Sequence, residues 1–264
     1  MRRRNAAFSL VELLVVAGII GVLLALLLPV LGRARAEANR VACLSNVRQL
    51  LQAQLMYAND SRGFVTYPNW GDDRRSDDVW PTGWLYTQGK VSDPPVPEDV
   101  KSGALFHYLG DTRVFRCPLH AVEDASARGT DRLTSYIMNG AVCGYGVVGH
   151  RGVEPVRWMP SWKITDWRQP SEQILWWEAE EGGPGSAAAD QGGAAWNDGA
   201  SYPRENFLSK RHGRGACVGH FDGSAGWMDR IDYVAELQRP GPNRLYCDPH
   251  RTDGGKSAVG SVGE

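Results

Sequence analysis

The chain has 264 residues and a formal net charge of −1, from 29 Lys and Arg against 30 Asp and Glu. That balance offers no basic surface for nucleic acid, and the length suits one domain of ordinary size with its anchor. Thirty-one glycines and ten tryptophans, every Trp lying beyond residue 69, point to short strands and long loops held by aromatic clusters in the later part of the chain.

Arg2, Arg3 and Arg4 open the chain, and Phe8 to Leu31 then reads FSLVELLVVAGIIGVLLALLLPVL with Glu12 as its one charge. At about 1.5 Å per residue this stretch reaches roughly 36 Å, enough to cross a hydrocarbon core of about 30 Å. It is predicted to be a membrane helix, with the arginines holding its start in the cytoplasm. Arg33, Arg35 and Arg40 weaken that bias from the far side. A secretory signal would have a shorter apolar run and a small-residue cleavage site, a pattern that Ala34-Arg35-Ala36 does offer. The run is too long for one, and Glu12 sits near its start. A carboxylate in lipid is costly unless it is paired, so Glu12 predicts a partner.

The helix is expected to continue to about Ala58. Ala34, Ala38, Val41, Leu44, Val47, Leu51, Leu55 and Ala58 recur every three or four residues, while Arg33, Glu37, Arg40, Arg48 and Gln52 take other faces. One helix of this extent would be roughly 75 Å long. Pro29 inside it predicts a kink, because its ring removes a donor and clashes with the preceding turn. Asn59 to Gly63 supplies turn formers that end the helix.

The start of the chain, a short basic leader, then Ala7, Phe8-Ser-Leu-Val-Glu12 and a long apolar run, resembles the prepilin N-terminus of type IV pilins and type II secretion pseudopilins. The resemblance implies cleavage between Ala7 and Phe8 by a prepilin peptidase, N-methylation of Phe8 and an assembly role for Glu12. In that role the Phe8 ammonium of one subunit lies against the Glu12 carboxylate of its neighbour. Pro29 falls where these proteins often carry a kinking proline. The departure is Ala7, where the family usually has Gly. The stretch CLSNVRQLLQAQLMYANDSRGFV at 43–65 is similar to the head entry of a pseudopilin-like family abundant in planctomycetes. Three further elements of that family are matched in order: Val114-Phe-Arg-Cys117-Pro118, Ser135-Tyr-Ile-Met-Asn-Gly140, and His212 followed after nine residues by Asp222-Gly223.

Several segments invite chemistry and receive structural readings. The charged run Asp72 to Asp78 could offer oxygen ligands to calcium, but matches no defined calcium loop and contains two arginines, so a solvated loop is preferred. Gly103 to Gly110 reads as a short helix packing on the head, with His107 structural. Ile174-Leu-Trp-Trp177 reads as a buried strand, and 179–200, rich in Gly and Ala, as a loop. Ala216–Phe221 and Ser224–Met228 form a predicted hairpin around a two-residue Asp222-Gly223 turn. The competing reading of that hairpin makes His212, His220 and Asp222 a metal-binding or catalytic set. Of the five cysteines, Cys43 and Cys117 both lie in family elements, and this resemblance implies a disulfide between them in an oxidising compartment. No C-x-x-C pair is present, so zinc is not expected; no metal ligand and no cofactor is assigned, with calcium left open as the one candidate ion. Residues 239–264, rich in Gly, Pro and polar residues, are expected to be disordered.

These observations predict an α+β protein whose long N-terminal helix packs on a small antiparallel sheet with long loops. Its parts are a leader (1–7), a transmembrane segment (8–31), an amphipathic continuation (32–58), a head (59–238) and a tail (239–264). The resemblance implies a non-enzymatic fibre subunit of a type II secretion-like or type IV pilus-like system. It would be anchored in the inner membrane with a periplasmic head, and its partners would be the prepilin peptidase, an assembly platform and other copies of itself. A tip subunit or adhesin presenting Trp-rich loops, and a membrane-anchored binding protein or enzyme, are the alternatives.

Overall fold

A computed structural model of the chain describes residues 10–69, 82–87, 89–92, 95–120, 133–149, 161–180 and 199–259. The predicted long helix is present: α1 runs unbroken over Leu10–Asp60, 51 residues, with Pro29 inside it. The α+β class holds, with one sheet of five strands. These are β1 (Tyr136–Asn139), β2 (Ile174–Glu178), β3 (Ala200–Ser201), β4 (Gly215–His220) and β5 (Ala225–Asp229), in the spatial order β3-β1-β2-β4-β5. Three pairings are antiparallel, but β3 joins β1 in parallel, so the sheet is mixed rather than purely antiparallel.

Helix and sheet meet through small residues. Gly219 in β4 faces α1 so closely that an added Cβ would lie 2.9 Å from both Leu51 and Val47. Because strand side chains alternate, the α1 face of the sheet also receives Cys217, Glu178, Trp176 and Tyr136, whereas Val218, Trp177 and Ile137 point the other way. That second face is covered by a later helix over Arg230–Gln238, α3, whose Tyr233 ring lies 6.1 Å from Trp177. With both faces covered, β1, β2 and β4 are buried throughout, which explains why β2 reads as an unbroken apolar run.

The buried line on α1 is Cys43, Val47, Leu50, Leu51, Ala53, Gln54 and Ala58. The predicted stripe shares Val47, Leu51 and Ala58 with it, but Val41 and Leu55 are exposed. The centre of the stripe is rotated toward Cys43, Leu50 and the polar Gln54, whose side-chain oxygen accepts from the Thr66 hydroxyl. The aromatic clusters are present: Trp84 stacks on Phe115 at 6.1 Å and meets Trp176 at 5.6 Å, and Trp167 stacks on Phe221 at 3.9 Å. The short helix α2 covers Phe106–Leu109, ends at Gly110 with φ 69°, and leaves His107 exposed.

Two expectations change. The described part of the tail, residues 240–259, is ordered, since Leu245, Tyr246 and Cys247 are fully buried and a further short helix, α4, spans Lys256–Val259. The buried Asn139 amide donates to the carbonyls of both Ile174 and Leu245 at 2.8 Å, tying this segment to β1 and β2. The β4–β5 turn is also wider than two residues: His220 N–H donates to Ser224 O at 2.9 Å and only Gly223 has positive φ, at 90°. Such a turn suits Gly at its last position, and the exposed Asp222 accepts from Ser224 N–H at 2.8 Å.

Candidate functional site

The outer half of α1 projects from the head. From Leu10 to Leu31 its side chains are exposed, and a Cβ added at Gly18, Gly21 or Gly32 would meet no atom within 4 Å. Among the described residues this is the one helix long and apolar enough to cross a membrane. A helix apolar all round is built for a solvent other than water. Glu12 lies near its exposed start; Ala7 and Phe8 lie outside the described residues.

Residues 2–28 match the prokaryotic N-terminal methylation motif. This supports a type IV pilin-like precursor, a substrate of prepilin peptidase with a membrane-anchoring helix. No curated protein and no solved structure matches the chain.

A second feature lies where α1 enters the head. Four potential metal ligands converge there from four segments: Cys43 from α1, Cys117 from the Cys-Pro turn, Glu178 from the end of β2, and His212 from the loop before β4. Their ligand atoms all lie within 4.8 Å of one another. Cys43 Sγ is 3.3 Å from Glu178 Oε2, His212 Nε2 is 3.3 Å from the same oxygen, and Cys117 Sγ is 3.4 Å from His212 Nε2. The Tyr136 hydroxyl lies 3.3 Å from Cys43 Sγ, and Arg211 reaches the other Glu178 oxygen at 3.5 Å. The Glu178 side chain is wholly buried and that of His212 is 1% exposed.

Local structure fixes each ligand. The turn of 3₁₀-helix at Thr112–Phe115 is capped by Asp111 and delivers Cys117, whose N–H donates to Ser135 Oγ at 2.8 Å. The N–H of Leu119 points back at Cys117 Sγ at 3.4 Å. The N–H of Cys217 donates to Glu178 Oε2 at 3.3 Å. Burial pushes the Glu178 carboxyl up, but the His212 hydrogen bond, the Arg211 charge and Cys117 outweigh it and hold the group at about 2. Burial also opposes charge on His212, yet its hydrogen bonds to Cys117 and Glu178 raise the ring to about 9. The Cys43 hydrogen bond, followed by burial, pushes the Cys117 thiol far up. The four groups thus hold an ion pair, Glu178 with His212, beside two neutral thiols.

All five cysteines are buried thiols, so Cys43 and Cys117 are neighbours without being bonded to each other. His212, His220 and Asp222 do not converge: His212 joins the cluster before the start of β4, while His220 sits at the far end of that strand. There its Nδ1 lies 3.2 Å from Glu172 O. Asp222 and Gly223 act as turn residues, and Gly223 packs so closely that an added Cβ would lie 2.9 Å from Leu55. The Asp72–Asp78 run lies outside the described residues. Glu178 is the member of the cluster that sequence reasoning misses. Its signal is a carboxylate directly after four residues of a buried strand. The expectation of no zinc site rests on local Cys spacing, whereas these four ligands come from widely separated stretches of the chain.

Proposed function

We propose that the protein is a structural pilin-like subunit, cleaved and N-methylated at Phe8 and polymerised into a type II secretion-like or type IV pilus-like fibre. The observation that carries this reading is the asymmetry of α1: its outer half is apolar and exposed, while its inner half is built into a folded head. Before assembly the outer half is solvated by lipid, with Arg2, Arg3 and Arg4 cytoplasmic and the head outside. In the fibre, neighbouring copies of the same helix replace the lipid. The Phe8 ammonium and the Glu12 carboxylate, each costly in an apolar medium, neutralise one another between subunits and set their register. The chain performs no reaction of its own; a peptidase, a methyltransferase and a motor-driven platform act on it. The family elements around Cys117, Ser135 and His212 support the pseudopilin-like branch of this class.

Trp84, Trp167, Trp176 and Trp177 are core residues, so an adhesin presenting tryptophans to a ligand would have to use others, of which Trp70, Trp80, Trp158 and Trp196 lie outside the described residues. The reading is tested by expressing wild type and Glu12→Ala with a matching assembly system and recovering sheared surface fibres. Fibres from wild type and none from Glu12→Ala, with Phe8 still methylated in both, are expected. Equal fibre yield from the variant would contradict the pairing.

A further inference from the structure

We infer that Cys43, Cys117, Glu178 and His212 form a structural binding site for a tetrahedral transition-metal ion, with zinc(II) as the fitting species. The donor set comes first: two sulfurs, one imidazole nitrogen and one carboxylate oxygen are the ligand types that zinc takes, whereas calcium takes oxygen alone. The spacing follows. Tetrahedral bonds of about 2.0–2.3 Å place ligand atoms about 3.3–3.8 Å apart. The separations of 3.3, 3.3 and 3.4 Å already lie close to that range. No pair of ligand atoms is more than 4.8 Å apart. An ion at the centre would therefore need small side-chain adjustments and no movement of the backbone.

Leu119 N–H donates to Cys117 Sγ, as suits a thiolate, and Cys217 N–H donates to Glu178 Oε2, orienting a ligand from behind. Arg211 on the other carboxylate oxygen balances charge: two thiolates and a carboxylate carry three negative charges, met by the dication and one guanidinium. Asn46, Arg116 and His120 line an open groove that reaches Cys117 from the surface and provides an entry path. Because the ligands come from α1, the Cys-Pro turn, β2 and the loop before β4, the ion would clamp the shaft helix to the sheet. The His of the His-x9-Asp-Gly element thereby acquires a role separate from its turn-forming Asp-Gly.

The test uses the full chain purified in detergent without reductant or chelator, with metal measured by mass spectrometry and thiols counted after denaturation. Wild type is expected to carry about one zinc per chain. Cys43→Ser and His212→Ala should lose it, Cys143→Ser should keep it, and His212→Cys, which restores a ligand, should keep it too. Exchange with cobalt should give the thiolate-to-metal charge-transfer bands of a tetrahedral sulfur-ligated ion in unmutated protein, so the result does not depend on variants folding. The inference is overturned by a Cys43–Cys117 disulfide in the purified chain, by thiols that take up no zinc or cobalt, or by cobalt bound without sulfur bands. Equal zinc in wild type and Cys43→Ser would overturn it as well.

Discussion

The two halves of α1 share one backbone and obey different solvents. In the outer half, glycines 18, 21 and 32 have open space around them and every leucine is exposed; in the inner half, Leu50, Leu51 and Cys43 are enclosed and β4 carries Gly219 to admit the helix. Hydrophobicity alone therefore does not say what a helix does. An apolar surface without a stripe waits for lipid or for copies of itself, whereas a stripe with polar flanks has already chosen a sheet. Stability of the head and assembly of the fibre should accordingly respond to different residues.

The sharpest way to break that separation is to truncate one large side chain on each side of it. Trp176→Ala should cost the head about 3–5 kcal/mol, while Leu23→Ala should stay within about 0.5 kcal/mol, read by thermal unfolding in detergent. Comparable losses from both would mean that the outer half packs on the head. The same contrast can be drawn with glycines. An Ala at Gly219 forces a Cβ against Leu51 and Val47, whereas one at Gly18 meets nothing. Gly219→Ala should therefore cost about 1–3 kcal/mol, with Gly18→Ala close to neutral. At the tip of the hairpin, Gly223→Ala places a Cβ beside Leu55 on a backbone of positive φ. By denaturant titration it should cost about 1–2 kcal/mol. Asp222→Ala removes the bond from Ser224 N–H and the carboxylate's pull on His220. Its cost should be about 0.5–1.5 kcal/mol.

The smallest expected effect is on pH. Burial, followed by the Arg244 charge, holds His220 below its ordinary 6.5, against the opposing pull of its hydrogen bond to the Glu172 carbonyl and of Asp222. A base whose folded value is depressed contributes stability that is fully present above its unfolded value and is lost as pH falls from that value toward the folded one. Head stability should therefore decline below pH 6.5. The slope should be about 1 kcal/mol or less per pH unit, and His220→Asn should flatten it.

Local patterns make much of this molecule legible. The extent of α1 follows from apolar length and the Asn59–Gly63 stop, β2 from an unbroken apolar run, and the β4–β5 hairpin from Asp-Gly. What stays hidden depends on tertiary neighbours. Gln54 joins the buried line only because Thr66 is beside it, and the tail reads as disordered until Asn139 grips Leu245. The parallel β3 is only two residues long, too short for any periodic signal. The ligand cluster is invisible for the same reason: spacing rules find ligands adjacent in sequence, and here Cys43 and His212 meet only because α1 crosses the sheet beside β2 and β4.

The central claim, that this chain is a processed pilin-like subunit, is tested most directly by the N-terminal mass of the protein extracted from its native membrane. The account predicts a mature chain that begins at N-methylated Phe8 and retains the whole of α1. A chain beginning after Ala36 would contradict it, because the apolar half of the helix would have been discarded as an export signal and no fibre core would remain.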